Sequence, residues 1–161
     1  MQGCVVSSVA EGYDAFLLDK LIRNSQKDIL YIVSDGVSLE HTAELLAFLN
    51  PKLEILKFPA WDTVPYDRVS PNVNIVAQRV ETLSALASVP NPKNPRVIIA
   101  SVGAVLQKLP PVKIFLNSVR QVRVGGKLGF GEFLHYAAIN GYNRVEQVFE
   151  PGEYAVRGDI I

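Results

Sequence analysis

The connection Ser7-Ser8-Val9-Ala10-Glu11-Gly12-Tyr13-Asp14 is the first place to seek chemistry. A nucleotide phosphate binds an α/β protein beyond the carboxyl ends of its strands, where strand turns into helix. A loop of the form G-x-x-x-x-G-K-[ST] does this with bare backbone amides around the phosphate, a lysine that neutralises it and a hydroxyl for the metal. Here the loop keeps one glycine, Gly12, and offers Glu11 and Asp14 instead of a lysine and a hydroxyl. Two carboxylates repel a triphosphate. The only Gly-Lys pair, Gly126-Lys127, is followed by Leu128 and has no glycine at the required spacing, and G-x-G-x-x-G fits neither region.

Other catalytic constellations are equally absent from the sequence. His41 and His135 fall in predicted helices, and His41-Thr42-Ala43-Glu44 and Glu132-Phe133-Leu134-His135 are not zinc-ligand spacings. Both read as surface or capping histidines. Cys4, the single cysteine, begins an apolar run and reads as a small core residue rather than a nucleophile. No G-x-S-x-G elbow occurs. The expectation is therefore no catalytic residue, no cofactor ligand and no metal ligand in this chain.

Two other places stand out. Phe58 to Asn72 gathers the only tryptophan, Trp61, with Tyr66, three prolines and two aspartates, where a loop should follow a strand. Trp61 and Tyr66 read as packing on a sheet edge in a rigid connection, with a ligand role as the alternative. Farther on, Gly141-Tyr142-Asn143-Arg144 and Gly152-Glu153-Tyr154-Ala155-Val156-Arg157-Gly158-Asp159 put Arg144 and Arg157 on neighbouring strands of a predicted hairpin. Arginine's planar fork suits carboxylates and protein interfaces; solvated strand charges explain the spacing equally well.

The elements that must position these residues follow from periodicity. Strand-length apolar runs at Cys4–Val9, Ile29–Ser34, Leu53–Phe58 and Val97–Ser101 alternate with amphipathic stretches, the pattern of a parallel α/β sheet. A crossover helix is predicted over Tyr13–Asn24, with Leu17, Leu18, Leu21 and Ile22 as its apolar stripe and Asp14, Asp19, Lys20 and Arg23 facing water. Ser38 is the predicted cap of a second helix, which Asn50-Pro51 stops. A third runs from Asn72 or Asn74 to Ser88, with Val76, Val80, Leu83 and Ala87 inward and Arg79 and Glu81 outward. The run Val89 to Pro95 holds three prolines and reads as a loop. A short helix over Val102–Lys108 ends at Pro110-Pro111. From about residue 117 the pattern changes to a strand at Val119–Val124, a helix at Phe130–Asn140 closed by Gly141, and strands at Val145–Phe149 and Tyr154–Ile161 joined through Glu150-Pro151-Gly152-Glu153.

Composition sets the outer bounds. With 161 residues, 48% of them hydrophobic and 20% charged, the chain is long enough to bury a core and is neither disordered nor collagenous. Lys+Arg 16 balance Asp+Glu 16, so bulk charge predicts no nucleic-acid coat and no polybasic membrane anchor. One cysteine permits no intrachain disulfide, which makes the reducing cytoplasm the default. The first apolar run is too short for a membrane span and follows no basic region. No repeat at solenoid periods is present. The sequence ends at Ile161 inside an apolar strand pattern, from which a longer parent protein is expected.

A resemblance enters at these residues. Phe58 to Asn72, Arg79-Val80-Glu81-Thr82-Leu83, Val97-Ile98-Ile99-Ala100-Ser101-Val102, and Gly141-Tyr142-Asn143-Arg144 through Gly152 to Ile161 resemble, in this order, the N-terminal region of the bacterial transcription-repair coupling factors (Mfd). That region is itself similar to the excision-repair protein UvrB. The long loop and the Gly152–Ile161 stretch are the specific parts; the apolar strands are not. The resemblance implies a degenerate RecA-like (P-loop-type) parallel sheet flanked by helices over residues 1–116, similar to UvrB domain 1a. The truncated start of a small α+β, UvrA-binding domain, similar to UvrB domain 2, would follow over 117–161. It also implies a non-catalytic module that recruits UvrA to stalled transcription complexes in nucleotide excision repair. Arg144 and Arg157 match arginines through which UvrB-like domains engage UvrA. UvrB keeps a working phosphate loop that these factors have lost, in agreement with Glu11 and Gly12. ATP, magnesium and DNA translocation belong to later parts of the family protein. Its motor and C-terminal domains are expected partners within that parent, with RNA polymerase and DNA reached only through regions absent here. On the residues alone, an independent small α/β nucleotide-binding protein or enzyme is the alternative.

Overall fold

The computed structural model describes residue 3 and residues 5–64, 68–88, 94–120 and 122–161. They divide between two units, Met1–Trp61 with Val89–Leu109 and Asp62–Ser88 with Pro110–Ile161. The first holds α1 (Tyr13–Arg23), β1 (Ile29–Val33), α2 (Gly36–Leu49), β2 (Ile55–Phe58), β3 (Val97–Ser101) and α4 (Val102–Val105). The second holds α3 (Val73–Ser88), α5 (Val112–Ser118), α6 (Phe130–Ile139), β4 (Asn143–Arg144) and β5 (Glu153–Tyr154). Among the described residues no helix is long and apolar enough to cross a membrane.

The first unit is a small parallel sheet in the order β1-β3-β2. Val97-Ile98-Ile99-Ala100-Ser101 takes the middle because it is apolar or small at every position and buried along its whole length, as a strand covered on both faces must be. Its register pairs Tyr31 and Lys57 with Ile99. The register is set at the strand entry by Asp28 and Arg96. The Asp28 carboxylate accepts the Arg96 backbone N–H at 2.9 Å, Nε at 3.1 Å and Nη2 at 2.6 Å. The Ile29 N–H in turn donates to the Arg96 carbonyl at 2.9 Å. The Arg96 side chain is only 2% exposed, so its charge is tolerated through this carboxylate.

One sheet face packs against α1 and α2. Ala15, Leu18 and Ile22 meet Leu39, Ala43 and Leu46 over Val33, Val97 and Ile99. The buried line on α1 thus has spacing i, i+3, i+7, and Leu21, expected in the stripe, is 58% exposed. Asp14, expected in water, points inward instead. Its Oδ2 accepts the Tyr31 hydroxyl at 2.8 Å and the Thr42 hydroxyl at 3.3 Å, linking α1 to β1 and α2. The cap of α2 is Asp35 rather than Ser38: its Oδ1 accepts the Ser38 N–H at 2.8 Å, the usual N3 contact one turn ahead.

Four other sequence expectations change. Of the predicted strand at Cys4–Val9, Cys4 lies outside the described residues. Residues 5–9 form no strand; Val5 is 93% exposed and the left-handed Ser8, φ 57°, interrupts the extended run before any ladder forms. On α3 it is Arg79 and Thr82 that are buried, while Val80 is 48% exposed; the helix is rotated from the face its valines suggest. At Val119–Val124 no strand forms among the described residues, Gln121 lying outside them. The helical run Val112–Ser118 precedes it instead, with Pro111 at its N-cap, where the missing N–H costs nothing. The predicted hairpin at Val145–Phe149 and Tyr154–Ile161 is replaced by β4 and β5, two residues each and parallel. The loop expected at Val89–Pro95 falls largely on residues 89–93, outside the described residues; the strands at 29–34, 53–58 and 97–101 and the helices near 13–24, 73–88 and 130–140 form within a residue or two.

Two predictions follow from the polar ties. Burial opposes ionisation of Asp28, but its hydrogen bonds with Arg96 and the nearby charge outweigh it and hold the carboxyl below its ordinary value. The stability it adds is therefore complete above the ordinary carboxylate range and lost as pH falls through the lowered value. Asp28→Ala, which takes this carboxylate away from the buried Arg96 guanidinium, is expected to cost about 3 kcal/mol in urea denaturation at neutral pH. Burial, and then the Asp14 carboxylate, push the Tyr31 hydroxyl up to about 12. Its stabilisation is complete below the ordinary tyrosine value, near 10, and lost as pH rises through about 12. Tyr31→Phe should lower stability by about 1 kcal/mol at neutral pH and flatten this alkaline loss in a thermal melt.

Candidate functional site

The turn ahead of α1 tests the phosphate expectation directly. Gly12 is the N-cap residue at φ 77°, and a Cβ there would meet Leu45 Cδ1 at 3.0 Å. This glycine is thus required by backbone conformation and by its close approach to α2. A cavity of about 280 Å³ beside it is lined by Glu11, Gly12, Asp14, Ser38, His41 and Thr42 among others. Its charge is acidic, and no lysine or arginine lines it. The Asp14 carboxylate is already taken by Tyr31 and Thr42. His41 and His135 are both exposed, and no group of three His, Cys, Asp or Glu able to hold a metal occurs among the described residues.

In the Phe58–Asn72 loop, Pro59 is buried and Trp61 half-buried. Tyr66 lies outside the described residues. Asp62 closes the loop onto α3, its two carboxylate oxygens accepting the Asn72 N–H at 3.1 and 3.2 Å, while Asn72 Oδ1 accepts the Asn74 N–H at 2.9 Å. This shared backbone N–H gives Asp62 a turn-forming role.

The arginines sit on a hydrogen-bonded knot at the end of the second unit. It begins with α6, whose end is a Schellman turn: Gly141, φ 78°, donates its N–H to the Ala138 carbonyl at 3.3 Å, and Tyr142 donates to that of Ala137 at 3.0 Å. The chain is thereby aimed into β4. Asn143 and Val145 then donate to the Gly152 and Tyr154 carbonyls at 2.8 and 2.9 Å, which brings β5 alongside. Arg144 lies in register with Tyr154; Arg157 lies beyond β5 and closes a tight bridge with Ile160. They are therefore brought to the same short ladder region, but not onto paired hairpin strands. A two-residue parallel pair is possible because residues 145–152 loop back to start β5 in the same direction.

Both arginines are exposed. Arg157 Nη2 donates to the Glu146 carbonyl at 3.4 Å, and Arg144 has no carboxylate within ion-pair distance among the described residues. Sequence reasoning missed the role of Glu153. Its Oε2 accepts the N–H groups of Phe149 and Glu150 at 2.9 and 3.0 Å, which hold its carboxyl below the ordinary value. The legible signal was Glu150-Pro151-Gly152-Glu153 itself, a turn with an acceptor at its last position.

No family model matches the chain. It is 33% identical over 146 residues to the transcription-repair-coupling factor of Rickettsia bellii (strain RML369-C), which covers 91% of this chain and 13% of that protein. To the factor of Haemophilus influenzae it is 29% identical over 157 residues, 98% of this chain and 13% of that one. Against the Escherichia coli (strain K12) factor the match is 29% over 107 residues, 66% of this chain and 9% of that protein.

The acidic lining of the turn before α1 makes a prediction for nucleotides. Magnesium-ATP is expected to leave the melting temperature unchanged in a thermal-shift assay, whereas a nucleotide bound at a hundred times its Kd would add about 2.7 kcal/mol of stability.

Proposed function

The chain is a homologue of one segment of the transcription-repair-coupling factors, spanning about 13% of the length of the curated relatives it matches, and from this we propose a role in transcription-coupled repair as a non-catalytic protein-docking module. In this reading residues 1–116 are a degenerate RecA-like domain similar to UvrB domain 1a. Residues 117–161 begin the domain that recruits UvrA, and Arg144 and Arg157 contact carboxylates on UvrA. ATP hydrolysis, DNA translocation and RNA-polymerase binding are assigned to other parts of the parent protein.

The observation that carries the reading is the state of Arg144. It is an exposed guanidinium with no carboxylate partner among the described residues, fixed on a backbone ladder beside the connection that Arg157 touches. A planar donor fork left open on an ordered strand suits recognition of a partner's carboxylate. The competing reading, an independent nucleotide-binding protein, is disfavoured by Glu11 and Asp14 in the one turn where a phosphate would sit.

The test is a titration of this chain against purified UvrA. Arg144→Ala or Arg157→Ala is expected to cost about 2 kcal/mol, roughly thirtyfold in Kd. Raising the salt from low to moderate should weaken wild-type binding. Affinity unchanged in both variants would overturn the assignment.

A further inference from the structure

Phe149 is 79% exposed and yet stands on one of the most tightly hydrogen-bonded turns of the second unit. Its own N–H and that of Glu150 both donate to Glu153 Oε2, at 2.9 and 3.0 Å. The Glu153 N–H donates back to the Glu150 carbonyl at 3.3 Å, and the Gly152 carbonyl accepts from Asn143 at 2.8 Å. Gly152 makes the turn possible with φ 86°. The carboxylate thus spends its charge on two backbone donors instead of on a cation, and the result is a fixed backbone under an aromatic ring in water.

A large aromatic side chain exposed on a rigid turn gains nothing for the free chain, because its apolar surface is left in water. It is suited to binding: the ordering cost of the turn is already met before a partner arrives. The same connection is where Arg157 rests, on the Glu146 carbonyl, and Arg144 begins it from β4. An exposed aromatic on a connection that one arginine begins and another touches has the residue types of an interface hot spot. Charge complementarity then defines the occupant: an apolar pocket with carboxylates at its rim.

We propose that Phe149 is the apolar anchor of this docking surface, inserted into such an acid-rimmed apolar pocket on the partner, with Glu153 as the positioning residue that presents it. The inference rests on the UvrA reading above and names the residues that give that surface its affinity. Phe149→Ala removes the anchor, and Phe149→Leu restores an apolar filling. Glu153→Ala unties the turn with the anchor intact, while Glu153→Gln keeps an acceptor oxygen for both N–H groups.

The experiment is the UvrA titration with these four variants beside Arg144→Ala, each checked by thermal melting. Phe149→Ala is expected to weaken binding about thirtyfold with an unchanged melt, and Phe149→Leu to recover most of it. Glu153→Ala should weaken binding several-fold, while Glu153→Gln should bind like the wild type. Wild-type affinity in Phe149→Ala, together with loss in Arg144→Ala, would overturn the anchor and leave the arginine surface standing. No binding of UvrA by the wild-type chain would overturn both. A Glu153→Ala variant that binds like the wild type would remove the positioning role.

Discussion

The parallel sheet depends on one buried ion pair at its base. Parallel strands have no tight turn to set their register, so something at the strand ends must do it. Asp28 and Arg96 each stand one residue ahead of their strand, and a single carboxylate binds both the backbone and the guanidinium of its partner. A slip of one residue would part this carboxylate from a guanidinium that is 2% exposed. Once β1 and β3 are aligned, Val33, Val97 and Ile99 present one apolar face for Leu18, Ile22, Leu39 and Leu46 to cover.

Polar ties of the same kind hold the turn before α1. Asp14 is a structural acceptor, joining three elements through Tyr31 and Thr42, and Gly12 answers to backbone conformation and the nearness of Leu45. Gly12 and Asp14 each have a folding reason to be what they are. A phosphate here would meet the carboxylates of Glu11 and Asp14, and no lysine or arginine lines the cavity to offset them.

In the second unit the order comes from backbone hydrogen bonds more than from apolar burial. Among its described residues only Ala137 is a buried hydrophobic, while Phe149, Ile139 and Ile160 are largely exposed. The Schellman turn at Gly141, the β4–β5 ladder and the Glu153 clamp nonetheless hold the backbone through donors and acceptors close in sequence.

Much of this was legible from residues alone. The apolar run at Val97–Ser101 read as a strand and Gly141 as the end of a helix, because buried strands favour β-branched residues and a left-handed φ favours glycine; that the strand is the central one came only with the structure. What periodicity could not decide was rotation and pairing. Arg79 went inside and Val80 out, and Asp14 turned from water to Tyr31. Val145–Phe149 and Tyr154–Ile161, each a good strand by composition, became a loop and a short parallel pair. Local sequence determines which residues favour helix, strand or turn; which face is buried, and which strand finds a partner, depends on groups far along the chain that only tertiary packing brings within hydrogen-bond reach.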